Sequence, residues 1–257
     1  MKEGQKLWTR DELILAINLY CKLPFGKLDK SNKDVINLAN LIGRTPSSIA
    51  YKLVNFASLD PSLKARGIKG ASNASKLDNI IWNEFFNNWD ELPFESEKLL
   101  AQIENTSVEI LNNININELP KEGKTRQQLV KVRVNQSFFR SSILASYNNT
   151  CCITGLNQPE FLIAGHIKPW SLDEKNRLNP QNGIAINALH DKAFETGLIT
   201  ITTDYKIKVS PILLNQKKSK SIEEYFHKYD NQEIILPSRF LPDVEFLKYH
   251  NDIRFKY

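Results

Sequence analysis

Two short apolar runs with a polar loop between them, followed by a helical segment, constrain the fold of this chain more than any other feature. The first run is Phe161-Leu162-Ile163-Ala164 and the second is Ile184-Ala185-Ile186. Runs this short, bounded by polar residues, are typical of strands. The segment from Leu189 to Glu195 indicates a short helix, which ends at Thr196-Gly197. We therefore predict a strand–loop–strand–helix unit in the C-terminal half of the chain.

Polar side chains stand at the junctions of this unit. His166 follows the first run, Asn182 precedes the second, and His190 lies near the start of the helix. Imidazole accepts a proton near neutral pH, and imidazole nitrogen and carboxamide oxygen both bind divalent cations. A unit of this length can bring His166 close to His190, with the Asn182 amide holding the loop. We therefore predict a one-metal site for phosphodiester hydrolysis, with His166, Asn182 and His190 as catalytic residues.

Each of these residues also has a structural interpretation. A lone histidine beside an apolar residue is more often structural than catalytic, and Asn182-Gly183 alone is more often a turn. Asp191 is a candidate metal ligand, or a helix cap without a metal role. Lys168 is a candidate DNA contact, although a solvated surface position is more common for one such lysine. The prediction rests on the coincidence of these residues within one segment.

Residues 1–95 predict a helical domain. Thr9 to Glu12 is a capping-box pattern, and two later helices are joined by the tight turn Gly43-Arg44-Thr45-Pro46. Such a pair resembles a helix-turn-helix, which places its second helix against DNA. The residues expected to face outward and contact DNA are Arg44, Ser47, Ser48 and Lys52. The alternative is an ordinary helical hairpin with polar surface residues, and hydrophobic periodicity alone does not separate the two.

The remaining segments set the expected domain boundaries. Residues 96–125 contain an asparagine-rich stretch and the segment from Pro120 to Gly123, which indicate a linker region. Residues 126–257 then form the second domain. The expectation is a two-domain α+β protein.

Composition limits the partners and the compartment. The net charge of +5 is compatible with a polyanion such as double-stranded DNA. No apolar run is long enough for a membrane-spanning helix, and the N-terminal residues lack the apolar stretch of a signal peptide. Three cysteines do not make a disulfide framework. We therefore expect a cytoplasmic protein with no membrane partner.

At these residues the sequence resembles the HNH endonuclease family, whose nuclease domain has a ββα-metal fold. The resemblance runs from about Arg133 to the C-terminus and is carried by the order and spacing of several segments. They are Asn135-Gln136-Ser137-Phe138-Phe139-Arg140, Cys152-Ile153-Thr154-Gly155, Ala164-Gly165-His166-Ile167-Lys168-Pro169-Trp170, Asn182-Gly183-Ile184, and His190-Asp191-Lys192-Ala193-Phe194-Glu195-Thr196-Gly197-Leu198-Ile199. The chain is most similar to a branch that includes restriction endonucleases.

The resemblance implies a role for each matching residue. His166 corresponds to the general base and Asn182 to the asparagine that shapes the loop. His190 corresponds to a metal ligand, for magnesium or another divalent cation. Many family members place a metal-binding acid or histidine just before the base, where this chain has Gly165. Asp191 is therefore the candidate for a second ligand.

A second departure concerns zinc. Many family members carry paired Cys-x-x-Cys zinc knuckles, and only the segment from Cys152 to Gly155 corresponds to that pattern here. We therefore expect no structural zinc. Cys151 and Cys152 are expected to be buried or partly buried thiols.

The expected function is a metal-dependent DNA endonuclease, and the resemblance implies a restriction or phage-defence role. One such site cuts one strand, so a double-strand break implies a homodimer on a twofold site. One alternative is a modification-dependent nuclease that cuts methylated DNA, which an aromatic cage in the N-terminal domain would favour. The other alternative is a DNA-binding regulator whose HNH domain is inactive.

Overall fold

The structure is a computed structural model that describes residues 6–68, 71, 73–86, 88–120, 123–216 and 219–257. The chain divides into two compact units, Met1–Ser141 and Ser142–Tyr257. The division falls inside a single long helix. Each unit is described by itself.

The first unit is helical, as its periodicity predicts. Its helices include α1 (Arg10–Lys22), α2 (Lys33–Leu41), α3 (Pro46–Leu59), α4 (Pro61–Ala65), α5 (Lys76–Phe86), α6 (Leu92–Ile103) and α7 (Val108–Leu111), and α8 (Lys124–Ser146) crosses the division. The capping box is present, because the Thr9 side chain accepts from the Glu12 backbone N–H and the Glu12 carboxylate accepts from the Thr9 N–H at 2.9 Å. Thr45 caps α3, with Pro46 at its first helical position.

Aromatic side chains build the core of the first unit. Tyr20, Phe56 and Trp82 come from α1, α3 and α5, and all three are buried. The ring centroids of Tyr20 and Trp82 lie 6.0 Å apart, and those of Tyr20 and Phe56 lie 6.4 Å apart. Such edge and tilted contacts are favourable beyond the area they bury. The aromatic residues of α5 therefore serve packing.

The segment expected to be a linker, residues 96–125, includes the end of α6 and the whole of α7. Its residues Ile114 and Leu119 are buried together with Val130 and Val134 of α8. This cluster lies within the first unit, so the division at 141/142 does not coincide with the boundaries drawn from the sequence.

The second unit combines helices with two small antiparallel sheets, which confirms the α+β class. After α8 its elements include β1 (Leu162–His166), β2 (Gly183–Asn187), α9 (Ala188–Glu195), β3 (Ile199–Ile201), β4 (Ile207–Val209), α10 (Pro211–Leu214), α11 (Lys220–Tyr225), α12 (Val244–Tyr249) and a π-helical turn (His250–Arg254). The buried cysteines Cys151 and Cys152 are free thiols. In the part of the chain that the structure describes, no helix combines the length and apolar character needed to cross a membrane.

The sheet register decides where the loop between the first two strands is anchored. β1 pairs with β2 so that Leu162 lies opposite Asn187 and His166 lies opposite Gly183. β1 thus runs two residues beyond the predicted apolar segment and includes His166. The chain enters α9 directly after β2, because the Asn187 side chain caps the helix by accepting from the His190 N–H at 3.0 Å.

A close backbone approach ties the end of α9 to the C-terminal segment. Gly197 adopts a φ of +74°, and a Cβ built on it would lie 2.0 Å from the carbonyl oxygen of Arg254. Only glycine fits both this left-handed backbone and this contact. The Gly197 carbonyl also accepts from the Lys256 N–H at 2.9 Å. The C-terminal turn is thereby held beside the helix that follows the strand pair.

Candidate active site

A cleft of about 540 Å³ lies between the end of β1 and one face of α9. The strand contributes Gly165 and His166 to its lining, and the helix contributes Asp191 and Glu195. Arg254 lines it from the C-terminal turn. The cleft therefore brings the His166 imidazole, two carboxylates and a guanidinium together around one space.

The His166 ring is fixed by a backbone carbonyl. Its Nε2 lies 2.8 Å from the carbonyl oxygen of Arg177. A carbonyl can only accept, so Nε2 carries the proton and Nδ1 of the neutral ring keeps a lone pair. Burial lowers the pKa of His166 below its ordinary value, and the bond to Arg177 only partly opposes this. The ring is therefore neutral at neutral pH and able to accept a proton.

Asn182 anchors the loop that follows His166. Its Oδ1 accepts from the Lys168 N–H at 2.8 Å, and its Nδ2 donates to the Lys168 carbonyl at 3.0 Å and to the Asn176 carbonyl at 3.3 Å. The side chain is fully buried and, among the described residues, is not part of the cleft lining. Asn182 therefore acts on the site by positioning the loop.

His190 does not join His166 in the cleft. Its Nε2 donates to the Tyr225 carbonyl at 2.6 Å, and its Nδ1 lies 2.8 Å from the side-chain nitrogen of Asn187. The ring packs edge-on against Phe226 and Tyr229. Burial lowers the pKa of His190. With both ring nitrogens engaged, this arrangement leaves no lone pair for a cation.

Asp191, one residue further along α9, does face the cleft. A Cβ built on Gly165 would lie 2.7 Å from the Asp191 Oδ1, so this carboxylate occupies the space beside Gly165. Burial, and then the charge of Glu195, raise the pKa of Asp191. Within the described residues, no group donates a hydrogen bond to its carboxylate. A half-buried carboxylate of this kind is suited to a divalent cation, which would supply the charge that the protein does not.

The residues described by the structure contain no cluster of three or more histidine, cysteine, aspartate or glutamate side chains in metal-binding geometry. The cleft nevertheless offers the Asp191 carboxylate beside open space, whereas the Glu195 carboxylate is paired with Lys192 at 2.8 Å. This donor set fits magnesium, which prefers one or two carboxylates and keeps several waters.

Sequence reasoning did not assign three polar residues of the cleft lining to the site, and it expected a packing or surface role for His250. Glu195 lies one turn after Asp191, a spacing that places both on one helix face. Arg254 donates through Nη2 to the Glu195 carbonyl at 2.6 Å. His250 is buried, stacked on Phe194 with a centroid distance of 3.7 Å, and held by Thr200 and the Phe194 carbonyl. The spacing could have identified Glu195, whereas no local signal points to Arg254 or His250.

Lys168 turns toward its own loop. Its Nζ lies 3.0 Å from the Asp173 carboxylate and 5.4 Å from the centroid of the Tyr249 ring. It is therefore engaged within the protein, although its side chain keeps some exposure.

In the first unit, the structure corrects the expectation that Arg44 and Lys52 face outward. The Arg44 guanidinium donates to both Glu12 oxygens, at 3.0 and 2.7 Å, and lies 4.0 Å from the centroid of the Trp8 ring. Lys52 contacts both oxygens of the fully buried Asp78, at 2.8 and 2.9 Å. Both cations turn inward because each is paired with a carboxylate that is distant in sequence.

Ser47 and Ser48 occupy the first turn of α3. Ser47 is exposed, and Ser48 is partly exposed with its N–H bonded to the Thr45 hydroxyl. Of the four residues expected to contact DNA from this unit, these two keep surface positions.

Comparison with known protein families identifies a match within the second unit. The family model described as HNH endonuclease matches residues 151–202. The matched segment contains β1, β2 and α9, together with His166, Asn182 and Asp191. A search of curated proteins finds no match. Residues 151–202 are therefore similar to the HNH endonuclease family.

Proposed function

We propose that this protein is a metal-dependent DNA endonuclease. The observation that carries the proposal is the cleft in which the His166 ring, protonated at Nε2, and the Asp191 carboxylate line one space within the segment that matches the HNH family. A neutral imidazole and a carboxylate are the base and the cation ligand that hydrolysis of a phosphodiester requires.

In the proposed mechanism, His166 acts as the general base. Its Nδ1 accepts a proton from a water molecule, and the water oxygen attacks the phosphorus as the bond to the 3′ oxygen breaks. The Arg177 carbonyl accepts the hydrogen bond from Nε2–H throughout and stabilises the imidazolium that forms. Asn182 keeps the ring at its angle by holding the loop.

Asp191 is the proposed ligand for a divalent cation such as Mg²⁺. A bound cation would supply charge stabilisation for the pentacovalent phosphate and the leaving oxygen. His190 was the ligand expected from the sequence, and it could serve only after one of its ring nitrogens released the Tyr225 carbonyl or the Asn187 side chain. We therefore assign His190 to positioning the start of α9 and Asp191 to the cation.

The wider role is part of the same proposal. A restriction or phage-defence function rests on the sequence resemblance, and a cytoplasmic location rests on the cysteine pattern. One base and one cation serve one phosphate, so cleavage of both strands would take two copies of the chain, as in a homodimer on a twofold site.

The test is a plasmid-nicking assay with MgCl₂. Wild-type protein should convert supercoiled plasmid to nicked or linear forms, and His166→Ala and Asp191→Asn should each lose activity by about 100-fold or more. Glu245→Gln, which removes an exposed carboxylate outside the cleft lining, is the matched control and should cut normally. Equal nicking by wild type and His166→Ala would overturn the assignment of the base. If the protein bound DNA but did not cleave it with any divalent metal or in any methylation state of the DNA, the alternative of a DNA-binding regulator with an inactive HNH domain would be favoured.

A further inference from the structure

Two large apolar side chains stand exposed at the edge of the cleft. Trp170 is 56% exposed and Leu172 is 62% exposed, and both line the same cleft as His166. Exposed apolar groups beside a polar cleft are a common mark of a binding surface. Packing within the described residues does not account for these two side chains.

The loop that carries them is held in place at its base. The Asn182 side chain bonds both the N–H and the carbonyl of Lys168, directly before Pro169 and Trp170. The Leu172 N–H donates to the Pro169 carbonyl at 3.0 Å, which closes a turn around Trp170. The Lys168–Asp173 ion pair closes the same loop from either side of the two apolar residues. The indole is therefore presented by a fixed turn, and its ordering for binding requires little further loss of entropy.

The residues of the cleft indicate a nucleic acid as the binding partner of these two side chains. A phosphate placed between His166 and Asp191 belongs to a chain whose bases adjoin it, and every base has a π-face that stacks on an aromatic ring. Apolar side chains inserted between base steps also open a duplex locally. Arg254 lines the same cleft and adds a positive charge toward the backbone.

We propose that Trp170 and Leu172 contact the bases next to the scissile phosphate, with Trp170 stacking on one base and Leu172 packing against the same step. This inference rests on the proposed nuclease function and adds a substrate class to it. A wedge of this kind favours nucleic acid whose base step opens easily, such as a nicked, mismatched or single-stranded site.

The experiment measures binding without cleavage, in EDTA, by fluorescence anisotropy of a labelled duplex with the full chain. Trp170→Ala should weaken binding about tenfold, as expected for the loss of one stacked base. Trp170→Phe should retain most of the affinity, because phenylalanine also stacks. Phe161→Ala is the matched control: Phe161 is 62% exposed in the same unit but, among the described residues, lies outside the cleft lining.

A second readout reports the bases directly. A duplex with 2-aminopurine next to the base that stacks on Trp170, and not at that base itself, should brighten when wild-type protein binds, because the probe loses a stacking neighbour. It should stay dim with Trp170→Ala. The inference would be overturned if Trp170→Ala bound DNA with wild-type affinity and brightened the probe as wild type does. It would also be overturned if Phe161→Ala weakened DNA binding as much as Trp170→Ala. Either result would leave the nuclease proposal intact. Failure of wild-type protein to bind any DNA would instead remove the nuclease proposal itself.

Discussion

The carboxylate of Asp191 occupies the space that a side chain on Gly165 would need. A Cβ at position 165 would lie 2.7 Å from the Asp191 Oδ1, closer than real Cβ contacts. Gly165 does not have a left-handed backbone. Space, and not conformation, therefore favours glycine here, because a Cβ would have to displace the Asp191 carboxylate. The residue before the proposed base has no side chain because a carboxylate from α9 takes its place.

Replacing Gly165 by alanine should push the Asp191 carboxylate away and weaken cation binding. We expect Gly165→Ala to lower the affinity for Mn²⁺ by about tenfold or more, which is the effect typical of changes that move a ligand. Asp191→Asn should lower the affinity further, because it removes the charged ligand itself. Isothermal titration with MnCl₂ measures both without relying on cleavage. Gly26→Ala is the control, since a Cβ there meets nothing within 4 Å and the backbone is not left-handed. Unchanged Mn²⁺ affinity in Asp191→Asn would exclude this carboxylate as a ligand.

The pH dependence of cleavage should report the state of His166. The base works only when deprotonated, and burial lowers the pKa of His166 below its ordinary 6.5. Cleavage should therefore persist through neutral pH and decline only as the pH falls through the lowered pKa. Single-turnover rates between mildly acidic and neutral pH measure this. A rate that already falls from pH 8 to 7 would contradict the assignment.

His250 should make the stability of the second unit dependent on pH. Burial, only partly opposed by the Phe194 carbonyl, lowers the pKa of His250 from 6.5 to about 4. The unfolded chain binds the proton more readily, so stability is fully present above pH 6.5 and is lost as the pH falls toward about 4. The difference between these pKa values corresponds to about 3 kcal/mol of unfolding free energy.

Urea unfolding followed by circular dichroism across this pH range measures the effect. His250→Phe should be less stable than wild type at pH 7, because it loses the bonds to Thr200 and the Phe194 carbonyl. Its stability should nevertheless vary less between pH 6.5 and 4. An identical pH dependence in wild type and variant would show that His250 is not the group responsible.

The inward position of Lys52 predicts a loss of stability when its charge is removed. Lys52→Met leaves the fully buried Asp78 without its cation and should destabilise the protein by about 3–5 kcal/mol. The double variant Lys52→Met/Asp78→Leu should recover part of that loss. Lys64→Met, at an exposed lysine, is the control and should change stability little. If Lys52→Met kept wild-type stability but bound DNA more weakly, Lys52 would instead be a DNA contact at the surface.

The parts of the fold that depend on neighbours in the chain were predictable. The apolar runs around Ile163 and Ala185 predicted β1 and β2, and the Thr9–Glu12 pattern predicted the start of α1. Strand propensity, helix periodicity and helix caps depend on residues close together in the chain, so they can be predicted from the sequence. The packing of residues 96–125 was not predictable, because Ile114 and Leu119 are buried against Val130 and Val134 of α8, which lie farther along the chain.

The sequence by itself determined that His166, Asn182 and the start of α9 belong to one strand–loop–strand–helix unit, because their order and spacing fix that unit locally. The tertiary structure decided which side chain of α9 faces the cleft. His190 is held by Asn187, by the Tyr225 carbonyl and by the rings of Phe226 and Tyr229. Because successive residues of a helix point in different directions, Asp191 faces Gly165 instead. In the same way, Arg44 lies inward because it pairs with Glu12, and Lys52 lies inward because it pairs with Asp78. A buried carboxylate needs a partner, however distant that partner is in the sequence.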